Sequence, residues 1–186
     1  MLRNLIAALA VAGATPALAT GLEVTVAGEA NGTITIDLLE DVAPKHVEQI
    51  TALAEAGQYD GVVFHRVIDG FMAQTGDVQF GDATDGYNYR RAGTGGSDLP
   101  DLPAEFSDVP FDTGVVGMAR SQSPNSANSQ FFIMFQPGPF LNGQYTVVGR
   151  VTGGQDVVQA IKRGHPRSGA ISEGEPDRMT KVVVTD

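Results

Sequence analysis

The sequence predicts a mainly β domain, a closed eight-stranded β-barrel capped by two α-helices. Three observations carry that prediction. Short runs of alternating apolar and polar residues recur along the chain, separated by Gly, Asn and Asp at turn positions. Glycine is frequent, at 23 residues, while Cys and Trp are absent, a composition that suits tight turns between short strands. There is no long strand–helix–strand alternation of the kind that builds a parallel sheet. Eight strands can close on themselves, fill the interior with side chains and leave no exposed edge. A chain of 186 residues, 42 % apolar and 18 % charged, suits one domain whose core needs neither disulfide nor metal.

The elements follow in order. Residues 1–19 read as a secretory leader: Arg3 is the positive start, Leu5 to Ala12 (LIAALAVA) the short apolar run and Ala17-Leu18-Ala19 the cleavage site. The run is too short to cross a bilayer. Residues 20–186 then form the folded domain. Leu22 to Ala27 and Gly32 to Leu38 alternate as half-buried strands, and Asn31-Gly32 between them signals a two-residue hairpin turn. A helix begins at Pro44, carries Val47, Ile50, Leu53 and Ala54 on one stripe and stops at Gly57. Strands Val62 to Ile68 and Phe71 to Thr75 are joined through Asp69-Gly70.

Gly76 to Asp112 has no period, and a stretch that long in a compact domain is functional or disordered. Strands resume at Gly114 to Ala119, Gln130 to Phe135 and Tyr145 to Val151, with a turn at Asn142-Gly143. A second helix spans Gln155 to Arg163, with Val157, Val158 and Ile161 on one face, and Met179 to Thr185 is the last strand.

Composition removes several function classes. Without Cys there is no disulfide, iron–sulfur cluster or thiol catalysis. A net charge of −10 opposes nucleic-acid backbones and anionic membrane surfaces. The three histidines, His46, His65 and His165, show no metal-ligand spacing, and His46 is expected on an exposed helix turn. Ser121 and Ser123 lie in a polar loop with no G-x-S-x-G elbow. Gly93 to Gly96 lacks the Lys-Ser/Thr of a phosphate loop and reads as a turn. A metal or hydrolytic enzyme is therefore disfavoured.

One strand stands apart. In Val62 to Ile68 (VVFHRVI), Arg66 shares a face with Phe64 and Ile68 inside an apolar run. An arginine there is either a rim residue with its stem laid over apolar neighbours or a charge kept for a purpose. The next strand puts Met72 and Gln74 on one side, where a hairpin brings them beside Arg66. Farther on, Ser129 to Ile133 (SQFFI) carries another amide and two rings that alternation sends to opposite faces.

Phe64 to Asp77 (FHRVIDGFMAQTGD), Ser129 to Ile133 and Phe140 to Val151 (FLNGQYTVVGRV) resemble the signature blocks of the cyclophilins, and the resemblance runs from about Leu22 to Val184. Gly93 to Gly96, Glu105-Phe106 and Gly117 to Ala119 fall in the matching order. Phe140 and Tyr145, where many members carry Trp and His, are similar to bacterial exported members. The resemblance implies an antiparallel barrel and a peptidyl-prolyl cis–trans isomerase acting on proline-containing segments of folding exported proteins. It implies no cofactor and no metal.

It carries the catalytic arginine onto Arg66 and an orienting glutamine onto Gln74. The substrate-binding positions fall on His65, Phe71, Met72, Ala119, Arg120, Gln130, Phe132, Phe140, Leu141 and Tyr145. Arg120 stands where Asn is common, at a position whose usual substrate contact in the family is through backbone, so that change is expected to be tolerated. Phe140, Tyr145, Arg120, one extra residue within Ser121 to Asn128 and the unusual stretch Asp82 to Arg91 together bear on substrate preference and on cyclosporin-type cyclic peptides, which are expected to bind weakly. A monomer without nucleic-acid or membrane partners is the default, exported to the periplasm of a Gram-negative cell and otherwise secreted. The rival function is a proline-segment binding module or chaperone on the same barrel, since a barrel alone does not decide function.

Overall fold

The computed structural model describes residues 20–84 and 86–186, so the expected leader at residues 1–19 lies outside the described residues. Strands β1 (Gly21–Ala27) and β2 (Gly32–Leu38) pair in register, Leu22 opposite Ile36 and Val24 opposite Ile34. Their connection is longer than the two-residue turn read from Asn31-Gly32. Positive φ falls on Gly28 and Gly32, not on Asn31, whose side chain instead donates to the Gly28 carbonyl at 2.7 Å.

Helix α1 (Pro44–Glu55) starts on its proline and buries Val47, Ile50, Leu53 and Ala54. Gly57, at φ +69°, turns the chain out of it. Strands β3 (Arg66–Ile68) and β4 (Met72–Thr75) form a hairpin. They are followed by β5 (Val115–Met118), β6 (Phe131–Met134), a 3₁₀ turn at Pro139–Leu141 and β7 (Val147–Gly153). Helix α2 (Gln155–Ala160) is shorter than its apolar pattern, because Ile161 adopts an extended ψ of 130°. Strand β8 (Arg178–Thr185) ends the fold.

All eight strands join one antiparallel sheet in the order β3-β4-β6-β5-β7-β2-β1-β8. The sheet is a curled half-barrel, not the closed barrel that the strand count led us to expect. The reason lies in the segment Val62 to Ile68, which does not run as one strand. Only its last three residues pair with β4, while Val62 and Val63 make isolated bridges to Asp82 and Arg178. The outer edge of β3 is taken by a loop: Val67 N–H donates to the Gly169 carbonyl at 2.8 Å and Arg66 bridges to Ala170. With that edge occupied, β3 has no ladder to offer β8.

Both faces of the β3–β7 half are covered. Alternation sends Val67, Ala73, Val116, Phe131, Ile133 and Val148 inward, into the core shared with α1 and α2. It sends Met72, Val115, Phe132, Met134 and Val147 outward, where Phe111 and Leu141 complete a second apolar cluster.

The aperiodic stretch 76–112 makes no named strand, yet side chains pin it. Glu105 accepts from the backbone N–H groups of Lys45 and His46 at 3.3 and 3.2 Å and so caps α1, whose Ala43 offers no side-chain acceptor. Its carboxylate also meets His46 Nδ1 at 2.6 Å. His46 is therefore fully buried, not on an exposed helix turn, because this loop crosses over it.

Candidate active site

The site is built on the outward face of the short strands. Their register aligns Arg66 of β3 with Gln74 of β4, Gln74 with Phe132 of β6, and Phe132 with Gly117 of β5. This row of cross-strand neighbours borders a cavity of about 370 Å³. Its apolar wall comes from Phe71, Met72, Phe132, Phe140, Leu141 and Tyr145, and its polar edge from Arg66, Gln74 and Arg120, with Ala119 between.

Aromatic geometry sets the cavity's shape. Phe132 stacks on the buried Phe111 (centroids 5.8 Å apart, 20° between planes) and meets Tyr145 edge-on at 5.9 Å. A Cβ on Gly117 would lie 2.6 Å from both the Phe111 and the Phe132 rings, so this stack requires glycine there. Phe140, 64 % exposed, leans on Phe71 at the mouth with centroids 5.5 Å apart.

Arg66 is held by neutral partners. Its Nη1 donates to Gln74 Oε1 at 3.2 Å and its Nε to the Ser168 carbonyl at 3.2 Å; Met72 Sδ lies 3.8 Å from Nη1. Gln74 Nε2 donates to Gln130 Oε1 at 2.9 Å, and Gln130 Nε2 to the carbonyls of Gly93 and Gly95 at 3.1 and 2.8 Å. Each amide thus has its orientation fixed by the next partner in the relay.

The far end is anchored by the buried Asp77, which accepts from the N–H groups of Gly93 and Gly95 at 2.7 and 3.0 Å and of Gln79 and Phe80 at 3.1 and 2.9 Å. Among the described residues, Arg66 Nη2 has no protein acceptor, and no carboxylate lies within ion-pair distance of this guanidinium. Burial lowers its pKa from the ordinary value, though an arginine stays charged at neutral pH.

Ten of the twelve residues expected to form the site line this cavity. Gln130 stands one residue behind it and reaches it through Gln74. His65 points away from it and is buried, with neither ring nitrogen hydrogen-bonded among the described residues. Burial, above all, holds its pKa down to about 4; Asp77 opposes that shift and Arg66 adds to it.

Sequence reasoning missed Gln144, which lines the cavity beside Tyr145, and Asp77 as the anchor of the relay. The G-D pair after Gln74 was visible, but nothing in its spacing points to Gly93. A second cavity, of about 430 Å³, adjoins the first across Gln74, Ala119 and Arg120 and is walled by residues 93–97 and by Asn128 to Gln130. No group of His, Cys, Asp or Glu that could hold a metal ion is found among the described residues. The arrangement offers an apolar hollow beside a fixed, partly unpartnered guanidinium. It can grip a small ring and donate hydrogen bonds at its edge.

The family model described as cyclophilin type peptidyl-prolyl cis-trans isomerase/CLD matches residues 22–184. A probable peptidyl-prolyl cis-trans isomerase of Brucella suis biovar 1 (strain 1330) is 59 % identical over 155 residues, covering 83 % of this chain and 78 % of the relative. Among solved structures, a cyclophilin from Hirschia baltica superposes with a TM-score of 0.70 at 27 % identity, covering 88 % of this chain and 73 % of that one. A cyclophilin type peptidyl-prolyl cis-trans isomerase of Cryptosporidium parvum, solved in the presence of the dipeptide Ala-Pro, gives 0.72 at 24 % identity, covering 89 % and 99 %.

Proposed function

The chain belongs to the cyclophilin-type peptidyl-prolyl cis–trans isomerase family, and from that premise we propose that the cavity on β3, β4 and β6 seats a substrate proline while Arg66 assists rotation of the bond before it. The chain is a peptidyl-prolyl isomerase that works without a cofactor. The task is conformational. Resonance sets a rotation barrier of roughly 18–20 kcal/mol, and no covalent bond is broken when it is crossed. Catalysis requires only that the twisted amide be bound better than either planar form.

The apolar wall holds the proline ring still, so the carbonyl of the preceding residue turns. As conjugation is lost, the imide nitrogen regains a lone pair. Arg66 donates to that nitrogen a charge-assisted hydrogen bond that the planar amide cannot accept. The relay from Gly93 and Gly95 through Gln130 and Gln74 fixes the guanidinium beforehand, so little reorganisation is left for the moment of reaction. The observation that carries this reading is the guanidinium itself, set at an apolar cavity with one nitrogen unpartnered among the described residues. The Ala-Pro dipeptide named for the Cryptosporidium structure supports a proline-containing segment as the occupant.

The test is the exchange rate of an Ala-Pro peptide, measured by NMR with the folded protein. Acceleration that disappears in Arg66→Ala is expected. A folded parent that accelerates nothing would leave a proline-binding module in its place.

The proposal extends to location: the protein serves chains exported from the cytoplasm. Its support is the order of Arg3, the apolar run Leu5 to Ala12 and the Ala17-Leu18-Ala19 site. Mass spectrometry of protein recovered from the periplasm or medium should find Thr20 as the first residue. A cytoplasmic chain that keeps Arg3 and its apolar run would contradict it.

A further inference from the structure

Arg120 sits where the two cavities meet and lines both. It is half-buried and held in place: Nε and Nη2 donate to the Gln144 carbonyl at 3.3 and 2.9 Å, and Nη1 to the carbonyls of Ser121 and Gln122 at 3.0 and 3.4 Å. Its Cζ lies 4.3 Å from the centre of the Tyr145 ring. Every one of these partners is neutral.

Among the described residues, the ion pairs involve Lys162, Arg163, Lys181 and His46, and none involves Arg120 or Arg66. The smaller cavity therefore carries two guanidinium groups and no Asp or Glu. The larger one sets the exposed Asp101 against Arg120. In a chain of net charge −10, this cleft is a local positive site.

Positive charge left unpaired in a half-buried cleft favours an anionic group on whatever enters it. A guanidinium already ordered by carbonyls and a ring loses little side-chain freedom when that group arrives. Arg120 lines the same cavity as the proposed proline seat, and consecutive Cα atoms are about 3.8 Å apart, so a side chain within two residues of a seated proline is within reach of it. Asp101 lines only the larger cavity and opposes a second acid there.

We propose that Arg120 makes this isomerase selective for proline segments with a Glu or Asp within two residues of the proline. The inference rests on the smaller cavity being the proline seat. Its test is a set of peptides in which Glu and Gln are exchanged at each of the two positions before and after proline. The ratio of kcat/KM for Glu over Gln is read by NMR exchange.

At one position or more that ratio should be about three- to tenfold in the parent at low salt and should fall toward one as salt is added. Arg120→Gln should abolish the preference and Arg120→Lys should keep most of it. Because the ratio is taken within each protein, a general loss of activity does not mimic the effect. If Arg120→Gln does not fold, the salt dependence of the parent decides. A ratio near one at every position, a ratio insensitive to salt, or one unchanged by Arg120→Gln would overturn the inference with the isomerase reading intact. Absence of turnover on every peptide would overturn the isomerase reading itself.

Discussion

Arg66 and His65 are neighbours in sequence with opposite fates. Arg66, the first residue of β3, faces the cavity, while His65, just before the strand, is buried. The arginine keeps its charge because its partners are oriented amide and carbonyl oxygens. The histidine gains no such partner and is held neutral, its pKa pushed down to about 4 against roughly 6.5 for a free imidazole. The unfolded chain therefore takes up this proton first as pH falls. The stability is complete above about pH 6.5 and is lost progressively as pH falls toward about 4. Urea unfolding of the parent between about pH 7 and about pH 4.5 should show a loss that exceeds that of His65→Gln by about 1–3 kcal/mol. Parallel curves for the two proteins would show that His65 does not carry this dependence.

At the scale of elements, the unusual feature is a half-sheet buried on both faces. Strands β5 and β6 are apolar or small at every position, and their outward residues hold up the site. Gly117 is the narrow point, so Gly117→Ala should displace the Phe132 ring. Thermal or urea unfolding should register a loss of about 1–3 kcal/mol, and turnover should fall through a raised KM. Unchanged stability and KM would show that the stack has room to spare.

Strands with a period were legible: Leu22 to Ala27, Gly32 to Leu38 and Met179 to Thr185 agree with the observed strands to within a residue. The pairing of Arg66 with Gln74 was also legible, because one hairpin and a period of two fix it. The burial of His46 was not, nor the path of residues 76–112. Those rest on single carboxylates and amides, Asp77, Glu105 and Asn128, that bind backbone groups far away in sequence and leave no periodic trace. The broken strand at Val62 and Val63 was hidden for a related reason. Its partners are a loop residue, Asp82, and the first residue of β8, Arg178, and an apolar run does not say which distant segments will meet its edge.

At the scale of the molecule, one sheet does two jobs. Its concave side encloses the core that gives the domain its stability, and its convex side near β3, β4 and β6 carries the row of Arg66, Gln74 and Phe132 that we propose as the active site. Loops supply what strands cannot: the Gly93–Gly95 carbonyls that orient Gln130, and the Ser168 carbonyl that steadies Arg66. The central claim is that this frame presents a planar, pre-oriented guanidinium and not merely a positive charge. It is tested most directly by the NMR exchange rate of an Ala-Pro peptide with Arg66→Lys beside the parent. Lysine keeps the charge but loses the fork that Gln74 and Ser168 hold, so a drop in kcat of about 10²-fold is predicted. Equal turnover by the folded lysine variant would contradict the account.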